Sequence, residues 1–110
     1  MSMRAGQVYV NGRFAGILIE EGPAHYTFTY DKDYLQQQST EPVCLAMPLR
    51  EEPYESSTLF PFFSNMLSEG VNRSFQMQLL GLRPDDDFGL LLKTAGYDTI
   101  GAVTVKEMEI

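Results

Sequence analysis

The chain has 110 residues, of which 44% are hydrophobic and 21% are charged, the proportions of an ordinary globular protein. A chain of this length buries roughly two-thirds of its unfolded surface, so we expect one domain spanning residues 1–110. Fifteen acidic residues against eight basic ones give a net charge of −7. This balance disfavours direct nucleic-acid binding, which needs several cations aimed at phosphates.

The sequence also argues against secretion and membrane insertion. The lone Cys44 cannot form an internal disulfide, and the N-terminus lacks the residue order of a signal peptide. No apolar run approaches the roughly 20 residues that a membrane helix requires. We therefore expect a cytoplasmic protein with no membrane partner.

The first third of the chain has the pattern of an antiparallel meander. Residues 8–10 and 14–19 flank Asn11 and Gly12, the dipeptide that most readily adopts the two positive φ angles of a type I′ turn. These two runs should pair as a hairpin. Residues 26–30 alternate aromatic and threonine side chains, the period-2 pattern of a half-buried third strand.

The middle of the chain is less regular. Residues 33–35 predict a short turn, and the apolar run 43–47 predicts a strand or extended segment that ends at Pro48. Residues 51–57 are polar and contain a proline, which predicts a loop.

From residue 57 onward the periodicity is helical. Ser57 or Thr58 can cap a first helix, because either hydroxyl can accept the unpaired amides at a helix start. Pro61 is tolerated only in the first turn of such a helix. This helix should run to about Leu67 and stop at Gly70.

A second and a third helix should follow. Residues 71–80 place Val71, Phe75 and Leu79 on one face, and Gly81 should end that helix. The third helix should begin after the proline at position 84, with three aspartates at its positive end. Its predicted buried side chains and its end are Phe88, Leu91, Leu92, Ala95 and then Gly96.

Residues 100–105 return as a final predicted strand. Strands, then a helical cluster, then a strand predict an α+β fold. About three helices should pack on one face of a small, mostly antiparallel sheet.

Catalytic chemistry is hard to build from these residues. His25 and Cys44 offer no third, orienting group. The acidic residues 85–87 cap a helix better than they bind a metal, because neighbouring helical side chains point about 100° apart. The glycines form no phosphate-binding loop. We therefore expect no catalytic residue, no metal and no cofactor.

The aromatic residues of the first helix leave two interpretations open. Phe60, Phe62 and Phe63 turn over more than half of the helix circumference. Either the helix is sandwiched within the core, or at least one ring is exposed with Met66 as an anchor for a partner. The candidate partner-binding residues of the second interpretation are Phe60, Phe63, Asn65, Met66, Glu69 and Arg73.

Several segments together carry a resemblance to a known family. They are the Asn-Gly hairpin with Gly16, and residues 28–30, 45–49, 63–67 and 96–103. In this order they resemble the N-terminal subdomain of the HipA family of serine/threonine kinase toxins. One departure is Ser68, where the family commonly has proline before Glu-Gly.

The resemblance implies a function and its partners. A full-length HipA kinase continues into a catalytic core, whereas this chain ends at Ile110, so we expect the non-catalytic part made as a separate protein. In related systems such a small component binds and inhibits a HipT-type kinase toxin, and a HipB-like DNA-binding protein can complete a ternary complex. The alternative is a structural or assembly subunit, or an excised N-terminal subdomain, of a HipA-like kinase without inhibitory activity.

Overall fold

The computed structural model describes residues 3–22, 24–37, 41–67, 70–94 and 103–108. Five strands and four helices lie in these ranges, which confirms the predicted α+β fold. In chain order the elements are β1 (Arg4–Val10), β2 (Arg13–Gly22), β3 (His25–Tyr30), α1 (Lys32–Gln36), β4 (Tyr54–Ser56), α2 (Pro61–Ser64), α3 (Gly70–Leu80), α4 (Asp87–Thr94) and β5 (Val103–Met108).

The strands form one antiparallel sheet in the order β4-β3-β2-β1-β5. Asn11 and Gly12, with φ angles of 52° and 81°, connect β1 to β2, and the flanking residues Val10 and Arg13 pair directly. The predicted hairpin with two positive φ angles is therefore confirmed. Because β5 pairs antiparallel with β1, the first and last described strands lie side by side.

A bulge at Ala15 interrupts β2. Val8 pairs with Gly16 while the next residue of β1 pairs with Phe14, so Ala15 has no partner across the ladder. At Gly16 the neighbouring strand lies very close, since an added Cβ would be 2.3 Å from the carbonyl oxygen of Thr29. Only glycine fits at this position without shifting β3.

Within the described ranges, the helices pack on one face of the sheet, as predicted. Phe28 of β3 contacts Phe63 of α2 with ring centroids 6.0 Å apart. Tyr30 of β3 stacks on Tyr34 of α1 at 6.2 Å. The largest fully buried side chains of the resulting core are Tyr34, Phe28, Phe63, Phe88, Leu18, Leu90, Leu91, Val8 and Val105.

Residues 43–47 do not form the predicted strand. The Tyr30 hydroxyl donates to the carbonyl of Met47 at 2.5 Å and accepts the N–H of Val43 at 2.8 Å. A turn closes between them through the Met47 N–H and the Cys44 carbonyl, 3.1 Å apart. The segment folds around one buried hydroxyl, which leaves the intervening Leu45 95% exposed.

A strand lies inside the segment that was predicted as a loop. Tyr54–Ser56 pairs with β3 as the edge strand β4, with Tyr54 opposite Phe28. Short strands with charged side chains are common at sheet edges, because the outer edge of such a strand has no hydrogen-bonded neighbouring strand. The polar composition therefore resembled that of a loop, and the loop prediction was wrong for these three residues.

The first predicted helix begins later than expected. Phe60 occupies the N-cap position without a side-chain hydrogen bond, so the prediction that Ser57 or Thr58 caps the helix was wrong. Instead, the Thr58 N–H bonds to the hydroxyl of Ser56 at 3.2 Å. Pro61 is the first helical residue, as predicted.

The other helical boundaries agree with prediction only in part, since α2 ends at Ser64 rather than near Leu67. The predicted turn at residues 33–35 is part of the short helix α1. Gly70 begins α3 rather than ending the previous helix, and Gly81 ends α3 with a φ of 68°. No helix in the described ranges is long and apolar enough to cross a membrane.

The last helix and strand follow the prediction closely. Phe88, Leu91 and Leu92 are buried on α4. The predicted helix end at Ala95 and Gly96, and residues 100–102 of the predicted strand, lie outside the described residues. Within the described part, β5 begins at Val103 and extends to Met108.

Candidate partner-binding surface

Two of the six candidate residues belong to the core. Phe63 is fully buried and Phe60 is 9% exposed. The Phe63 ring contacts those of Phe28, Phe60 and Phe62 at centroid distances of 6.0, 6.4 and 5.4 Å. This is the sandwiched arrangement, so neither Phe60 nor Phe63 is an exposed anchor in this structure.

Asn65 and Met66 follow α2 and lie nearer the surface. Asn65 is exposed, whereas Met66 is half-buried and packs against the edge of the core. The backbone continues in tight turns here. The Met66 N–H bonds to the Phe63 carbonyl, and the Leu67 N–H bonds to the Ser64 carbonyl. The candidate residue Glu69 lies outside the described residues.

Arg73 of α3 is engaged within the protein. Its guanidinium forms an ion pair with Asp87, the first residue of α4. It also donates to the carbonyl of Pro84 at 3.3 Å. These contacts tie α3 to the start of α4, and only 24% of the Arg73 side chain is exposed.

Phe75 and Leu79 share one face of α3, as predicted, but this face is exposed. Phe75 and Leu79 are 60% and 70% exposed, whereas Met77 is 4% exposed and faces the core. At about 100° per residue, Phe75 and Met77 point roughly 200° apart, so α3 has apolar side chains on opposite sides. The side chain of Val71, the third residue of the predicted face, lies outside the part of the structure that is described. Phe75 and Leu79, one helical turn apart, are called the α3 stripe below.

The three aspartates at the start of α4 do not converge on a common site. Asp86 Oδ1 accepts the Gly89 N–H at 3.1 Å, so the predicted capping role is confirmed for this residue. Asp87 pairs with Arg73 instead, and Asp85 is 84% exposed, 3.9 Å from Arg83. Among the described residues, no group of His, Cys, Asp or Glu side chains could hold a metal ion.

A charged network around Arg4 was missed by the sequence reasoning. Arg4 donates to Asp86 and, through Nε, to Glu20 at 2.8 Å. Glu20 also accepts the Tyr26 hydroxyl at 3.0 Å. Hydrogen bonds from Arg4 lower the pKa of Asp86, and burial raises the pKa of Tyr26 to about 12. The network fastens α4 to the sheet, and no local sequence signal connects its members.

His25 has surface partners rather than a nucleophile. Its Nε2 lies 3.0 Å from Glu55 Oε1 of β4, and its Nδ1 lies 3.6 Å from Glu21 Oε2. Cys44 is half-buried in the turn beside Tyr30. The Nε2 contact makes His25 a cross-strand partner of Glu55.

This fold, with all described helices on one side of a five-stranded antiparallel sheet, defines a small α+β domain. Residues 6–106 match the family model of the HipA N-terminal domain. The chain therefore belongs to the HipA N-terminal domain family, as its sequence motifs suggested.

Solved and curated relatives agree with this assignment. A solved structure described as the N-terminal domain of HipA toxin matches with a TM-score of 0.71 and 31% identity, over 96% of this chain and 93% of that one. "Putative kinase Y4mE" of Sinorhizobium fredii is 32% identical over 94% of this chain, which spans only 24% of that protein. A Haemophilus influenzae protein of similar size, described as an uncharacterized protein, is 31% identical, with 96% of this chain and 93% of that protein covered.

Proposed function

We propose that this protein is a non-catalytic regulator that binds a HipT-type serine/threonine kinase and inhibits it, as the HipS antitoxin of a toxin–antitoxin system. The observation that carries the proposal is the match of residues 6–106 to the HipA N-terminal domain. In "Putative kinase Y4mE" the matching region is about a quarter of a longer protein. In that protein, a domain of this family is therefore joined to the remaining three-quarters of the chain.

The chemistry of the described residues supports a binding role. His25 is held by two glutamates at the surface. The carboxylate of Asp86, whose pKa is lowered, is bound by Arg4 and by the N-terminus of α4. Each of these groups has a structural partner, which favours regulation by contact over catalysis.

Inhibition by such a domain has a simple physical requirement. The domain can cover the nucleotide or substrate cleft, or it can hold the kinase in a conformation that does not close. In either case it must bind the inactive state more tightly than the active one. Of the six candidate residues, we propose that Asn65 and Met66 make direct contact. Glu69 and Arg73 are proposed as the polar rim.

The alternative function is a structural or assembly subunit of a HipA-like kinase. It is favoured by the two Sinorhizobium fredii relatives, because this chain spans only 24% of "Putative kinase Y4mE" and 21% of "Putative kinase Y4dM". The Haemophilus influenzae relative favours the regulator instead, since 93% of that protein is covered by the same domain. A HipB-like DNA-binding protein is the proposed third component, and the site of action is the cytoplasm.

Co-expression with the kinase separates the two functions. If a HipT-type kinase from the same genome stops growth, the regulator should restore growth when both are produced. Unchanged toxicity with more soluble kinase would contradict inhibition and support the assembly subunit. The control is Phe63→Ala, a variant with a disrupted core. It should not restore growth if relief of toxicity depends on the folded protein.

A further inference from the structure

Exposed apolar side chains are concentrated on α3. In the described ranges, the large apolar side chains that are well exposed are Met3, Leu45, Phe75, Leu79 and Leu80. Three of these five lie on this single helix. Clustered exposed apolar surface marks interaction sites more often than scattered residues do.

The outward orientation of the α3 stripe is fixed by contacts on the other side of the helix. Met77 is buried in the core, and Arg73 is paired with Asp87. At the helix end, Gly81 takes a φ of 68°, and the Leu82 N–H bonds to the Met77 carbonyl at 2.9 Å. The stripe therefore cannot turn inward without breaking these contacts.

The surroundings of the stripe are depleted of charge. Although the chain carries a net charge of −7, α3 contains no Asp or Glu. Its one charged residue, Arg73, is neutralised by Asp87. The exposed polar residues between and beside the stripe are the neutral Asn72, Ser74 and Gln78. An aromatic anchor in a neutral surround is the composition of an interface centre.

Charge decides between a second copy and a different protein as the occupant. Two copies would each bring a net charge of −7. Repulsion between two such acidic proteins opposes self-association. A partner that offers an apolar pocket bordered by Lys and Arg complements both features.

We propose that Phe75 and Leu79 dock into an apolar, basic-bordered pocket of the HipT-type kinase. This inference rests on the proposed function and adds the surface that makes the contact. Phe75 is the central anchor, and Leu79 covers the adjoining turn. The net charge of −7 on this protein favours a basic border around the pocket and accelerates association with it.

The test measures binding of a HipT-type kinase from the same genome to the parent protein and two variants by calorimetry. The double variant Phe75→Ala/Leu79→Ala should lose at least about 30-fold in affinity, the scale of an interface hot spot. The matched control is Leu45→Ala, since Leu45 is equally apolar and 95% exposed but lies in the turn after α1. It should bind like the parent. Thermal melts of both variants should match that of the parent.

Each other outcome has a definite meaning. A parent that does not bind the kinase would overturn the proposed function and this inference with it. A parent that binds while the double variant binds equally well would overturn only the role of the stripe. A large drop in the melting temperature of the double variant would show that another part of this chain covers the stripe. If the parent is a dimer and the double variant is a monomer, the occupant of the stripe is a second copy of this chain. An affinity for the kinase that does not fall with increasing salt would contradict the basic border of the pocket.

Discussion

The guanidinium of Arg4 on β1 donates two hydrogen bonds to the carboxylate of Asp86, at 3.0 and 2.8 Å, although 82 positions separate the two residues. The same carboxylate accepts the backbone N–H of Gly89 at 3.1 Å. One side chain therefore both caps α4 and fastens it to the sheet.

Replacement of Asp86 should destabilise the protein. Asp86→Ala removes the cap and leaves Arg4 without one of its two carboxylate partners, which should cost about 2 kcal/mol of unfolding free energy. The matched control is Asp85→Ala, because Asp85 is 84% exposed and contacts only the equally exposed Arg83. Its loss should be near zero. Urea denaturation of both variants checks the difference, and equal losses would contradict the assigned role.

The same pair should make stability depend on pH in the acid range. Hydrogen bonds from Arg4 lower the pKa of Asp86 in the folded protein, so the unfolded chain binds the proton first as the pH falls. The stabilisation is complete above the unfolded pKa of about 3.9 and is lost as the pH falls through the lower folded pKa. The stability gap between the parent and Asp86→Asn should therefore shrink below about pH 4. A gap that stays constant from pH 6 to pH 2.5 would exclude this linkage.

The Tyr30 hydroxyl provides a second stability test. Tyr30→Phe leaves the buried Val43 N–H and Met47 carbonyl without their partner, which should cost about 1–3 kcal/mol. Burial also raises the pKa of Tyr30 to about 12, so its neutral form is favoured in the folded state. Stability should fall between about pH 10 and 12 in the parent and less in the variant. Denaturant melts of both proteins at pH 8 and pH 11 measure this difference.

Features that depend on residues adjacent in the chain could be predicted from the sequence, whereas features that depend on tertiary packing could not. Asn11 and Gly12 predict their own backbone angles, so the hairpin follows directly, whereas the register shift at the Ala15 bulge does not. The two apolar sides of α3 are a different case, because only tertiary packing decides that Met77 rather than Phe75 enters the core. Likewise, Tyr54 becomes a strand residue only because β3 offers an unpaired edge.

The candidate surface shows the same limit. Three phenylalanines close together do not reveal which ring meets Phe28, and the structure places Phe63 there. Asn65 was correctly expected at the surface, because burial of a polar side chain at a helix end is unfavourable without a hydrogen-bond partner. The exposed stripe on α3 could have been suspected from the absence of acidic residues in a strongly acidic chain.

Variants of α2 should separate folding from binding. Phe63→Ala removes a fully buried ring and should cost roughly 3–5 kcal/mol of stability, and Phe60→Ala should also be destabilising. Asn65→Ala should leave the melting temperature unchanged, since Asn65 is exposed. Thermal melts alongside kinase binding test this division. A Phe63→Ala protein as stable as the parent would contradict the core assignment, and unaltered binding by both Asn65→Ala and Met66→Ala would remove α2 from the interface.

The most direct test of the proposed regulator is the activity of a HipT-type kinase from the same genome, measured as phosphate transfer while this protein is titrated in. We expect a saturable fall in phosphorylation that ends near equimolar protein, with complex formation over the same range. If the complex forms but phosphorylation continues at the rate of the kinase alone, this protein is an assembly subunit and the claim of inhibition is wrong.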